Sequence, residues 1–270
     1  MLKLKDWVKQ DKLNWSILCR NPNAIQMIEA KPSSINWYRL SENPEACHLL
    51  QANLKRSFHD GNPFYNYDDV KWNYISENPG VIRLLEENPH RINWTHLSSN
   101  PSAIHLLEAN PDKIDWMFLS KNPAAIHLLE ANPDKINWAF LSMNTGAVDL
   151  LEKNYDNIYW VYLSANPGAI RIIEANMDRV DWCALSKNPA AIHLLEANQD
   201  KIEWFLISDN SAAIHLLEAN QDKLDWYWLS CNPSIFEYDY TSMVRPFTEE
   251  LMENRFHPDN LDKFESWGYE

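Results

Sequence analysis

The sequence predicts an all-α fold, an α-solenoid of short two-helix repeats with terminal helical caps. Three observations predict it: a fixed spacing of tryptophans, paired Asn-Pro punctuation inside each period, and an apolar stripe of helical spacing between the pairs. Trp72, Trp94, Trp116, Trp138, Trp160, Trp182, Trp204 and Trp226 stand 22 residues apart without a break. A unit of that length cannot bury its own apolar face, so it stacks on copies of itself into an elongated array. Each unit then touches only its neighbours, and 270 residues read as one continuous array instead of two globular domains.

Residues 1–14, with Trp7 among isolated apolar and charged residues, read as an N-terminal cap and contain no signal-peptide core. The array follows over residues 15–233. With tryptophan as position 1, the best copies read W-x-x-L-S-x-N-P-x-A-I-H-L-L-E-A-N-P-D-K-I-D, as in Trp116 to Asn137. Asn caps helices, Pro suits the first helical position, and Pro turns its predecessor out of the helical region. Each pair therefore ends one helix and opens another, from about Pro123 to Ala131 and from about Pro133 to Ser142. Ala125, Ile126, Leu128 and Leu129 form a buried helical stripe, faced by Ile136, Trp138 and Leu141. A leucine-rich repeat has a similar period but wants an apolar residue five places before its Asn, where this chain has His127.

The Asn at position 7 never changes, from Asn21 through Asn122 to Asn232, although Pro after it gives way to Thr145 and Ser211. Capping accounts for this. Ser at position 5 and Glu at position 15 recur almost as strictly, which points to a turn or inter-repeat hydrogen bond.

Between Trp37 and Trp72 the spacing is 35, because an insertion at residues 54–67 interrupts the array. Phe58, His59, Phe64, Tyr65 and Tyr67 make it the densest aromatic and ionisable cluster outside the ladder, and insertions into strict arrays are often functional. The alternative is a turn whose aromatics cover a local defect in stacking. Asn62 to Asp68 echoes Asn232 to Tyr240, which suggests a variant unit that bends the chain near residue 60 and ends the array near 235. Residues 234–270 then form a C-terminal helical cap, with one helix from Tyr240 and another from Pro258. Glu249, Glu250, Glu253, Asp259, Asp262 and Glu265 give it an acidic surface.

A formal charge of −14 disfavours nucleic acid and anionic membrane as partners. No apolar run approaches the ~20 residues of a membrane helix. None of the five glycines lies in a phosphate-binding motif, so no nucleotide cofactor is expected. Cys19, Cys47, Cys183 and Cys231 lack CxxC spacing and read as reduced residues of an intracellular protein. His48, His105, His127, His193 and His215 share position 12, but stacked helices lie ~8–10 Å apart, too far for neighbouring copies to share one metal. Pairing with the Glu three residues on, as His105 with Glu108, is the simpler reading.

Positions 2 and 3 vary most in chemistry. Tyr74, His96, Phe118, Phe140, Tyr162 and Trp228 at position 3, with the insertion residues, are the candidate protein-binding residues, because a variable set on a fixed frame encodes a partner surface. Some of position 3 also belongs to the core, one helical turn after the buried Ile.

The unit W-x-x-L-S-x-N-P-x-A-I-x-L-L-E-x-N-P-x-K-I is followed here by Ile235 to Tyr240, Phe256-His257-Pro258 and Trp267-Gly268-Tyr269. Together they resemble an uncharacterised repeat family of giant DNA viruses over roughly residues 15 to 270. The resemblance implies a viral protein of the host cytoplasm or the virion, and it brings no catalytic residues with it. The expected function is a non-enzymatic protein-protein interaction module that engages a host factor or a viral structural protein. The alternative is a virion or capsid-assembly component that uses the solenoid as a spacer.

Overall fold

The computed structural model describes residues 2–59, 72–242 and 244, with the side chains of 55–59 outside the description. It divides into two compact units, Lys9–Ser234 and a smaller one made of Met1–Val8 with Ile235–Glu270. Short helices in a regular repeat make up nearly all of the first, so the all-α repeat class holds.

A typical period contains four short elements. In the copy beginning at Asn122 they are a 3-10 turn Pro123–Ala125, an α-helix Ile126–Ala131, a second 3-10 turn Pro133–Lys135 and an α-helix Trp138–Ser142. The two helices expected from the Asn-Pro pairs are present, but each opens as a 3-10 turn. The second is also broken at Ile136 and Asn137, both extended. Asn137 restarts it by accepting the amide of Phe140 at 3.0 Å, and a third capping residue acts this way in most described units.

The two Asn-Pro asparagines differ in role. Asn122 caps its turn through Oδ1, which accepts the amide of Ala124 at 3.0 Å. Asn132 makes no side-chain cap; its Nδ2 turns back and donates to the Leu128 carbonyl at 2.9 Å, satisfying a free carbonyl at the end of the preceding helix. Only the first asparagine is buried, and burial is what prevents it from changing.

The core is narrower than the sequence stripe. Ala125, Leu129 and Leu141 are fully buried, as are their equivalents around the array. Ile126, Leu128, Ile136 and Trp138 are half-buried. The tryptophan ladder is therefore a flank of the core: Lys135 lies 4.4 Å from the centre of the Trp116 ring, and Lys113, Lys201 and Lys223 cover Trp94, Trp182 and Trp204 alike.

Polar groups lie deeper than the tryptophans. Asn122 Nδ2 donates to the carbonyls of Ser98 and Asn100 in the preceding unit, both at 3.0 Å. Ser120 Oγ donates to the Trp116 carbonyl at 2.8 Å and accepts the amide of Asn137 at 2.9 Å. Cys19, in the serine position, keeps both contacts through sulfur, to Trp15 and Asn36. The buried thiol is pushed up from its usual pKa by that burial.

The asparagine ladder also closes on itself. Asn21 Nδ2 donates to the carbonyls of Ser230 and Asn232, at 3.1 and 2.9 Å, in the same pattern that links Asn43 to Asn21 and Asn232 to Asn210. The Asn14 amide donates to Ser230 Oγ at 2.8 Å, and Lys12 covers Trp226 as Lys135 covers Trp116. Three distinct inter-unit contacts thus recur at the seam. The array over Lys9–Ser234 is a closed ring of units, where the sequence alone suggested an elongated one. A unit repeated without change imposes one rotation at every joint, and ten units close when that rotation is about 36°.

The insertion does not interrupt this ladder, because Asn78 still donates to Ser41 and Asn43, at 2.9 and 3.0 Å. Its first residues extend the α-helix Cys47–His59. The expected bend near residue 60 lies outside the described residues. In the smaller unit, strand β1 (Leu2–Leu4) pairs antiparallel with β2 (Phe236–Tyr238), and Glu237 meets Lys3 and Lys5, each at 3.2 Å. The helix expected from Tyr240 begins there; the rest of the C-terminal cap lies outside the described residues.

Candidate functional site

Position 3 and position 6 lie one helical turn apart, just ahead of the buried asparagine, and together they form the candidate surface. From Tyr74 to Phe140 the rings at position 3 stack from unit to unit: His96 follows Tyr74 at 6.4 Å, Phe118 follows His96 at 5.4 Å, and Phe140 follows Phe118 at 5.8 Å. Tyr74 also meets Tyr38, at position 2 of the preceding unit, with ring centres 5.0 Å apart and hydroxyls at 2.6 Å. These rings are half-buried, whereas Tyr162 is 43% exposed. Each half-buried ring packs on a neighbouring ring and stays partly accessible.

Trp228 stands apart from that run. It packs edge-on against Phe205 and Tyr227, each at 5.4 Å, with Lys187 over its face. Phe64, Tyr65 and Tyr67 lie outside the described residues, and of Phe58 and His59 only the helical backbone is described.

Position 6 escaped the sequence reading, although its variability between an unchanging Ser and Asn was the available signal. Arg20 meets Glu42 at 2.9 Å, and Arg39 meets the same carboxylate at 3.2 Å. Lys121 reaches Glu77 two units back, and His96 meets Glu77 at 3.3 Å. Burial pushes the Glu77 carboxyl up, but the hydrogen bond and charge of Lys121, assisted by His96, outweigh it and hold the group below its ordinary value. Farther round, Cys231 is buried beside Asp209 at 3.0 Å; burial and that carboxylate both push its thiol up. A cavity of about 280 Å³ is lined by Arg20, Glu42, Tyr74, Glu77, Asn78 and Pro79.

The opposite flank carries the histidines. His105 bonds Glu86 at 3.0 Å and His127 bonds Glu108 at 2.9 Å, so each pairs with the preceding unit instead of with the Glu three residues on. Stacking of the short helices sets position 12 beside position 15 of the preceding copy. Both partners of each pair are about half-exposed. Among the described residues no group of three or more His, Cys, Asp or Glu side chains converges as a metal site, no cysteine is in a disulfide, and no helix is long and apolar enough to cross a membrane.

No family model, curated protein or solved structure matches the chain. The surface at positions 3 and 6 combines partly exposed rings, guanidinium and ammonium groups paired to carboxylates, and a cavity lined by both kinds of group.

Proposed function

We infer that the chain is a non-enzymatic protein-protein interaction module and that its partner surface is the stripe of positions 3 and 6. One contrast carries the reading. Ser at position 5 and Asn at position 7 form the same buried bonds in nearly every unit, while the residues at position 3 before them and position 6 between them change from charged to aromatic to small. A frame held that constant and a surface that variable are what a specific protein contact needs.

Tyr74 and Phe118 supply aromatic rings, and Arg39 supplies a guanidinium, the residue types that dominate binding at interfaces. The alternative, a spacer in a virion or an assembly scaffold, draws less support, because a closed ring offers no free end on which further copies stack. The resemblance to giant-virus repeat proteins supports the host cytoplasm or the virion as the place of action and a host factor or viral structural protein as the partner.

The test is affinity capture from infected lysate with the wild-type chain and with Tyr74→Ala/Phe118→Ala. The reading expects one stoichiometric protein partner that the double variant loses while its thermal melt still shows a single cooperative transition. The same recovery with both chains, or no stoichiometric partner with either, contradicts it.

A further inference from the structure

Among the described residues a cation covers each ladder tryptophan but Trp138, with Trp37 left out of the comparison. Lys12, Arg91, Lys113, Lys135, Arg179, Lys201 and Lys223 cover Trp226, Trp72, Trp94, Trp116, Trp160, Trp182 and Trp204, at 4.3 to 5.2 Å from the ring centres. All seven stand three residues before the next tryptophan of the ring. Where that position is Ser34, the first unit compensates, because Lys31 covers Trp15 at 4.4 Å. For Trp37 the corresponding stretch lies outside the described residues. Trp138 has no such cover among the described residues: the position is Asn157, exposed and uncharged, and the nearby Lys153 lies on no ring.

The same unit departs from its frame in two more places. Tyr155 is an aromatic residue at a place where other copies have Pro, Met or Gln, and Tyr159 stands where most have a capping Asn or Asp. The helix that follows, Trp160–Ser164, accordingly has no side-chain cap. In exchange the surface gains exposed aromatic and apolar groups: Tyr155, Tyr159 at 53%, Val161 at 56% and Tyr162. The covering cation and the capping side chain have been given up together, and each replacement faces solvent.

We propose that Trp138 and Asn157 mark a docking site for a Lys or Arg side chain of a partner polypeptide, with Tyr159 and Val161 as its apolar margin. The chemistry of the occupant is set by the seven equivalent positions, where the fold itself lays an ammonium or guanidinium on the same ring. Asp156, beside the vacant position and exposed, adds complementary charge. None of Trp138, Asn157, Tyr159 and Val161 is at position 3 or 6, and the site stands whether or not that stripe is a partner surface.

The experiment follows the indole N–H resonances of the full chain, with the Trp138 signal assigned by its loss in Trp138→Phe. N-acetyl-arginine amide is titrated in, with the uncharged N-acetyl-norleucine amide as control. The proposal expects a saturable shift of the Trp138 signal with the arginine probe, none with norleucine, and little movement of the covered tryptophans. Asn157→Lys, which installs the missing cation, abolishes that shift while the chain melts at an equal or higher temperature. An unmoved Trp138 signal, equal shifts from both probes, or a shift that survives in a folded Asn157→Lys chain overturns it.

Discussion

Asn122→Asp changes one atom type at the centre of a buried ladder, and the structure states what that atom does. Asn122 is fully buried and makes three hydrogen bonds, two through Nδ2 to the Ser98 and Asn100 carbonyls and one through Oδ1 from the Ala124 amide. Replacing the side chain by alanine leaves the Ser98 carbonyl and the Ala124 amide without partners, while the Asn100 carbonyl keeps the Ala103 amide at 3.1 Å. At ~1–3 kcal/mol for a buried polar group left unpaired, the loss is about 2–5 kcal/mol. Aspartate keeps the Oδ1 bond but turns an oxygen toward both carbonyls and brings a buried charge, so at neutral pH it costs at least as much as alanine. Protonation returns one donor, so the aspartate variant regains stability as pH falls. Urea unfolding followed by tryptophan fluorescence measures all three chains. A loss below about 1 kcal/mol for Asn122→Asp at neutral pH would refute the claim that the ladder, more than the tryptophans, holds the units together.

Glycines at position 9 give a graded test: an added Cβ meets a backbone carbonyl oxygen of the preceding turn at 2.0 Å in Gly80, 2.6 Å in Gly168 and 3.0 Å in Gly146. Thermal melts of the three Gly→Ala chains should fall most for Gly80, less for Gly168 and least for Gly146, and any other order contradicts the joint geometry. Leu141→Ala, at a fully buried position, should cost about 2–5 kcal/mol in urea unfolding, against less than about 1 kcal/mol for His127→Ala at its exposed pair. Glu77 is held below its ordinary value of 4.5 mainly by Lys121 against the opposing effect of burial, so its contribution is present above that value and lost as pH falls through the folded one. Titration of the Glu77 carboxyl by NMR should show the depressed midpoint, and Lys121→Met should raise it; an unmoved midpoint would mean that the ion pair is not formed.

The repeat and its helices were legible because periodicity and Asn-Pro chemistry are local, written within each 22-residue period. The depth of each side chain was not. Trp138 outranks Asn144 in hydrophobicity, yet Asn144 is buried and Trp138 only half so, because Asn144 satisfies two carbonyls that packing has already removed from water. Hydrophobicity ranks side chains; it does not locate backbone groups that need partners. The pairing of His105 with Glu86 was hidden for a related reason, since a helix of five residues presents its side groups to the next copy more than to itself.

Closure was the least legible feature. No residue announces it, because Asn21 and Ser230 look like every other Asn and Ser of their columns, and only the summed rotation over all joints brings them together. At the candidate surface, position 3 was visible as variation, whereas Lys121 reaching Glu77 across two units depends on curvature that a one-dimensional pattern does not contain.

A short-range fluorophore quenched by contact with indole tests closure most directly. Attached at Lys12→Cys, in a chain whose own four cysteines are replaced, it stands where Lys12 lies 5.2 Å from the Trp226 ring. The closed array predicts quenched emission that recovers on Trp226→Phe and on unfolding in urea. Emission that is the same with and without Trp226 in the folded chain would contradict closure and leave an open solenoid.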